Sequence, residues 1–189
     1  MSYKTEIQKN QHEITRRRFM QLSSAVGLAS VLAFPVYAAP SSLLLEAGEI
    51  PLPQTPINTD SGAEFILSEL REFDLVINFW ATWCPPCVHE LPQLNTIATE
   101  LNAEGIKVIL VSMDRGGAAV AASFLSQRKI TAPLSLYDPS ASWARALGLK
   151  GLPTTLLIKK NSASYQVHTG PADWDNDKIK GQIRKYLAS

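Results

Sequence analysis

Leu75-Val76-Ile77-Asn78-Phe79-Trp80-Ala81-Thr82-Trp83-Cys84-Pro85-Pro86-Cys87 decides how this chain is read. Residues 75–80 form a short, almost continuous apolar run, the pattern of a central strand covered on both faces. From about Cys87 to Glu104 the pattern suits a helix, closed by Gly105. The two cysteines therefore stand where a strand hands over to a helix. Cys84 falls at the helix N-terminus, where unpaired N–H groups and the dipole stabilise an anion. Such a site draws a thiol below its free pKa of ~8.5 and favours the reactive thiolate. Pro85 and Pro86 fit the first helical turn, where a missing N–H costs nothing. The two-residue spacing lets Cys87 reach Cys84 within one turn, so a disulfide can form and break there without unfolding. A purely stabilising disulfide is the weaker reading, because so short a loop removes little unfolded-state entropy. A zinc site wants four ligands, and the pair supplies two. His89 points elsewhere on the helix, and His168 lies 81 residues beyond Cys87.

Working outward, the chain has 189 residues, 46% hydrophobic and 19% charged, which supports a packed core. The net charge of +1 argues against a strongly basic nucleic-acid binder. Two cysteines exclude a disulfide-rich scaffold and a four-cysteine zinc site. Charge is uneven. Residues 1–38 carry Lys4, Lys9, Arg16, Arg17 and Arg18 against Glu6 and Glu13, and the remainder is slightly acidic. No charge follows Arg18 until Glu46, and Phe19 to Ala39 is mostly apolar, ending in small residues. This is the pattern of a secretory signal, with expected cleavage after Ala38. Thr15-Arg16-Arg17-Arg18-Phe19-Met20-Gln21 resembles the twin-arginine export motif. A retained anchor is the alternative, since the uncharged run from Phe19 to Leu45 exceeds the ~20 residues that span a bilayer. Either form places the domain in the periplasm, on the oxidising side of a bacterial inner membrane. The expected organisation is a signal over 1–38, a linker and irregular or short β lead-in over 39–62, and one domain over 63–189.

Within that domain, Glu64 to Arg71 suits a short helix. Ile106 to Met113 is a second buried strand, and Ala118 to Arg128 a helix. Leu134 to Tyr137 reads as a short strand and Ser140 to Leu147 as a short helix. Thr154 to Lys159 and Tyr165 to Thr169 pair as a hairpin across a polar turn. A last helix runs from about Asp175 to Leu187. A parallel unit followed by an antiparallel hairpin carrying a helix is the thioredoxin plan: an α/β fold with a central mixed sheet flanked by helices.

Residues 76–87 followed by Glu90-Leu91-Pro92, together with Gly148-Leu149-Lys150-Gly151-Leu152-Pro153-Thr154-Thr155, resemble the TlpA/ResA-type thioredoxin-like proteins over roughly residues 50–189. The resemblance implies that Cys84 attacks a partner's disulfide and that Cys87 resolves the mixed disulfide, the two forming a redox-active pair. It implies a cis peptide before Pro153, with the Leu152 carbonyl holding a partner's backbone; an ordinary turn is the alternative. It also gives weight to Glu90, three residues after Cys87. One turn of helix separates them, so a partly buried Glu90 carboxyl would exchange a proton with Cys87. A solvated helix residue is the bland reading. Asn78, six positions before Cys84, stands where ordinary thioredoxins carry an acid. Trp83 is expected as apolar docking surface, with core packing as the alternative. Trp80 is expected in the core, and Trp143 and Trp174 as packing residues. Lys159-Lys160-Asn161-Ser162 lacks the Asp and Gly common at this turn in the family. Asp114-Arg115-Gly116-Gly117 opens a loop of unassigned form.

The leading functional expectation is an exported thiol-disulfide reductase acting on protein disulfides, for example in apocytochromes during cytochrome c maturation. It needs no cofactor or resident metal, is fed by a membrane electron-donor protein, and is expected to be a monomer without nucleic-acid contacts. Membrane contact arises only if the signal is retained. An oxidase or isomerase would use the same dithiol. A copper-binding or delivery protein using Cys84, Cys87 and His168 is a third reading. A peroxidase fares worse, because Ala81 stands where that chemistry needs a hydroxyl.

Overall fold

The apolar run becomes the middle of a sheet because both of its faces find cover. The computed structural model describes residues 39–48, 52–162 and 164–189. In chain order these form β1 (Glu46–Gly48), β2 (Ile57–Asn58), β3 (Glu64–Phe65), β4 (Asp74–Trp80), α1 (Pro85–Ala103), β5 (Ile106–Ser112) and α2 (Ala118–Gln127). Then follow β6 (Leu134–Tyr137), α3 (Ser142–Ala146), β7 (Thr154–Ile158), β8 (Tyr165–Thr169) and α4 (Asp177–Leu187). The described strands make one mixed sheet in the order β1-β8-β7-β4-β5-β6-β2-β3. β4 lies between parallel β5 and antiparallel β7, with Ile77 opposite Ile109 on one side and Leu156 on the other.

Successive side chains of a strand go to opposite faces. Val76 and Trp80 enter a core with Leu91, Leu94 and Ile97 of α1 and Ile179 and Ile183 of α4. Leu75, Ile77 and Phe79 enter a second core with Trp143 of α3 and Leu67 of a 3-10 turn (Leu67–Leu70). All are essentially inaccessible, which is why residues 75–80 carry so little polarity. Pro92 sits inside α1, where it lacks the N–H that the helix ladder would use. Gly105 takes φ +85° and turns the chain from α1 into β5.

Two expectations change, and the short β lead-in expected within 39–62 is found. Glu64 to Arg71 is not one helix: residues 64–65 pair with β2, Ile66 stays extended, and only Leu67–Leu70 turn, as 3-10. Sheet pairing takes the first residues of the apolar pattern that reads as helical. The lead-in over 39–62 is built into the domain at both sheet edges. β1 pairs with β8, β2 pairs with β6 and β3, and Leu43 is buried with its N–H donating to Gln182 Oε1 at 2.9 Å. Exposed strand edges otherwise leave rows of unpaired backbone groups. The last helix starts at Asp177 rather than Asp175, because the Asn176 side chain caps it by accepting the Lys178 N–H at 3.0 Å. At the β7–β8 turn Asn161 takes φ +58°, a conformation Asn tolerates better than most residues, and its N–H donates to the Arg71 carbonyl.

The expected export segment, residues 1–38, lies outside the described residues. Among those described, no helix is long and apolar enough to cross a membrane.

Candidate active site

β4 ends at Trp80, and the chain reaches the first turn of α1 in four residues. Cys84 is the N-cap of that helix, extended at φ −101° and ψ 99°. Cys84 and Cys87 are joined as a disulfide with their Cα atoms 5.3 Å apart. The Cys87 N–H donates to Cys84 Sγ at 3.4 Å, so one orphan donor of the helix start points at the first sulfur. Pro85 and Pro86 fill the first two helical positions and are exposed. Both cysteines are buried, Cys84 at 5% exposed and Cys87 at 1%.

The surroundings of the pair come from distant parts of the chain. Thr154 pairs with Phe79, so Pro153 stands level with Trp80, at the strand end from which residues 81–84 leave. The Leu152–Pro153 peptide is cis. Pro153 is buried, and half-buried Leu152 packs against the core cluster that contains both cysteines. Trp83 is 66% exposed, which excludes its core-packing alternative. Trp80 is fully buried.

Glu90 is 1% exposed, so the solvated reading is excluded. Its Oε1 accepts the Ala172 N–H and the Trp174 indole N–H, the latter at 2.9 Å. Among the described residues its Oε2 has no partner. Burial pushes the carboxyl pKa up to about 7; the two hydrogen bonds to Ala172 and Trp174 oppose that rise only in part. Trp174, expected as mere packing, is thus also a donor to the carboxylate. No feature near Glu90 in sequence signals this, since the donor comes from a segment more than eighty residues away. Asn78 is buried and donates to Thr155 Oγ1 at 3.0 Å.

The unassigned loop after β5 also reaches the site. Asp114 is buried, and its carboxylate accepts the Thr82 N–H at 3.0 Å, the Thr82 hydroxyl at 2.6 Å and the Ser112 hydroxyl at 2.9 Å. The Met113 N–H donates to the Trp80 carbonyl at 2.8 Å. These bonds clasp the two loops leaving β4 and β5, and so hold the chain two residues before Cys84. An acidic residue next to glycines after a buried strand is the one sequence signal that could have marked it.

His168 does not join the cysteines. It is buried on β8, with Nδ1 accepting the Leu44 N–H at 3.1 Å. Among the described residues no three His, Cys, Asp or Glu side chains gather as a metal site. The copper reading therefore loses its third ligand.

The Redoxin family profile matches residues 47–183. The chain belongs to the Redoxin family. Among curated relatives, the thiol-disulfide oxidoreductase ResA of Halalkalibacterium halodurans is 29% identical over 158 residues, covering 82% of this chain and 88% of that one. ResA of Geobacillus kaustophilus is 32% identical over 128 residues, covering 68% and 69%. Among solved structures, a Chlorobium tepidum protein assigned as the thiol:disulfide interchange protein DsbE is 29% identical. It superposes with a TM-score of 0.65 over 76% of this chain and 99% of that one. This Redoxin-family chain has the thioredoxin-like fold, and its cysteine pair fits dithiol exchange: it is a thiol-disulfide oxidoreductase.

Proposed function

We propose that the chain is an exported thiol-disulfide reductase in which Cys84 is the attacking sulfur and Cys87 the resolving one. The observation that carries this reading is the Cys84–Cys87 disulfide at the start of α1, with the buried Glu90 carboxyl one turn further along the same helix.

In the reduced protein the Cys84 thiolate, favoured by the helix N-terminus, attacks one sulfur of a partner's disulfide. The partner's S–S bond breaks, a mixed disulfide forms, and the departing partner thiolate takes up a proton. Glu90, as carboxylate, accepts the proton of the Cys87 thiol. The Cys87 thiolate attacks Cys84 Sγ, the mixed disulfide breaks, and the second partner thiolate leaves and is protonated. Two electrons have passed to the partner, and the chain ends as the observed disulfide. A membrane-held dithiol donor then returns it to the dithiol state. No cofactor enters any step.

The rim supports a protein substrate. Trp83 offers an exposed apolar ring beside Cys84, and exposed Pro85 and Pro86 keep the approach free of side-chain bulk. The Leu152 carbonyl, preceding the cis peptide, is the acceptor for an extended partner backbone. The twin-arginine-like segment supports export to the periplasm, where apocytochrome cysteines are one substrate class needing reduction.

The test is a trapping experiment. Reduced Cys87→Ser protein mixed with a disulfide-containing peptide is expected to accumulate a mixed disulfide at Cys84, read by mass spectrometry. Trapping through Cys87 in the Cys84→Ser protein instead, with none at Cys84, would overturn the assignment of the two roles.

A further inference from the structure

α1 offers Glu90 and Gln93, one turn apart, to the segment 171–174. Gln93 Oε1 accepts the Trp174 backbone N–H at 3.1 Å, and Glu90 Oε1 accepts the Ala172 backbone N–H and the Trp174 indole N–H. Two donors on one oxygen leave the other, Oε2, buried and bare. A proton bound to this carboxyl therefore sits on Oε2, because Oε1 is already occupied. The Ala172 donor is backbone and any residue there supplies it. The indole N–H is supplied by the side chain at 174 alone, and Trp174 is fully buried with no other partner for that N–H among the described residues.

We propose that Trp174 is a positioning residue: its indole N–H clamps Glu90 Oε1, holds the exchangeable proton on Oε2, and sets the pH range over which Glu90 takes the Cys87 proton. This rests on the reading of Glu90 as the proton partner of Cys87. The step is a plain proton transfer: Cys87 thiol and Glu90 carboxylate become Cys87 thiolate and Glu90 carboxylic acid, with no electrons moved. A donor to the carboxylate favours the ionised form, so the indole works against burial, which favours the neutral acid. Removing it raises the Glu90 pKa.

The other titratable side chains on the meeting elements are exposed His89 and, further along, Glu100 on α1, Tyr165 and His168 on β8, and Asp173 and Asp175 on the connecting segment. His168 Nε2 lies 3.4 Å from the Pro171 carbonyl rather than against Glu90. Among the described residues no His, Lys or Arg forms an ion pair with Glu90; the described ion pairs all involve Glu100 or Glu104. The indole is therefore the side-chain contact through which sequence acts on this carboxyl.

The experiment pairs two readouts on the full chain, wild type and Trp174→Phe. The first is the Glu90 side-chain carboxyl carbon followed by NMR against pH in the disulfide form, with Glu90→Gln identifying the signal. The second is the pH profile of mixed-disulfide resolution when reduced protein meets oxidised glutathione. Losing one hydrogen bond to a charged group is expected to move the Glu90 midpoint up by about one pH unit, and the Glu90-dependent limb of the rate profile with it. A Glu90 midpoint unchanged in folded Trp174→Phe overturns the proposal. A midpoint that moves while the rate limb stays also overturns it, and removes Glu90 from proton exchange while leaving the Cys84–Cys87 chemistry intact. Wild-type protein that never resolves the glutathione mixed disulfide refutes the reductase reading itself, and the inference falls with it. If Trp174→Phe does not fold, benzothienylalanine at 174 keeps the ring outline, replaces the N–H with sulfur, and is read by the same two measurements.

Discussion

Replacing Glu90 with Gln gives a prediction whose size follows from the burial of one carboxyl. In the folded protein its pKa is raised from 4.5 to about 7, chiefly by burial. In the unfolded chain it titrates near its ordinary value of ~4.3. Below that value both states hold the proton, and the group adds no pH dependence. Between roughly 4.5 and 7 the unfolded chain has released the proton while the folded one retains it. The unfolded state then binds fewer protons, so stability falls as pH rises. Above about 7 both states are ionised and the loss is complete. At 1.36 kcal/mol per pKa unit, the loss is about 3 kcal/mol. Gln cannot ionise, yet its carbonyl oxygen still accepts from Ala172 and Trp174, as Oε1 does. Its amide N–H groups occupy the place of the unpartnered Oε2 and cost a fixed, pH-independent amount. The assay is urea denaturation of the disulfide form at a series of pH values from 4 to 8.5, for wild type and Glu90→Gln. The stability difference between them is expected to swing by about 3 kcal/mol in favour of the variant across pH 4.5 to 7.5. A difference that stays flat across this range would refute the claim that Glu90 is held in a desolvated site.

Two further outcomes follow from other parts of the site. Asp114→Ala strips the acceptor from the Thr82 N–H and from the Thr82 and Ser112 hydroxyls, so it is expected to lower stability by about 3 kcal/mol and to slow disulfide exchange, with Asp114→Asn recovering part of both. Denaturation and exchange kinetics on the same samples check this. Trp83→Ala removes a ring that is 66% exposed, so stability is expected to change by about 0.5 kcal/mol or less while the KM for a protein disulfide rises and that for a small disulfide does not.

The centre of the fold is legible in the sequence because its physics is local. Residues 75–80 are apolar on both faces, and in the structure helices and turns cover both. The ends of the sheet are not legible in the same way. β2 and β3 have two residues each and β1 has three, too few for an alternation to register. Phe65, Ile66, Leu67 and Leu70 fit a helical stripe, and only pairing with Ile57, a contact outside the segment, shows that the first of them belongs to a strand. The position of the cysteine pair at the start of a helix is readable from its flanks, since a strand pattern precedes it and prolines fit a first turn. Glu90 is half legible. Three-residue spacing puts it on the face of Cys87, but whether that face is wet or buried depends on Ala172 and Trp174, which no periodicity around Glu90 reports. Asp114 is the same case: its partner Thr82 lies 32 residues away, and the glycines after it show a turn but not what the carboxylate grips.

The central claim is that the Cys84–Cys87 pair donates electrons to partner disulfides. The measurement that bears on it most directly is the equilibrium reduction potential of that pair, titrated against defined redox buffers. The account predicts a two-electron couple near or below about −250 mV, close to that of thioredoxin. A value of about −120 to −180 mV, in the range of DsbA and protein disulfide isomerase, would contradict it and assign the chain to disulfide formation or isomerisation instead.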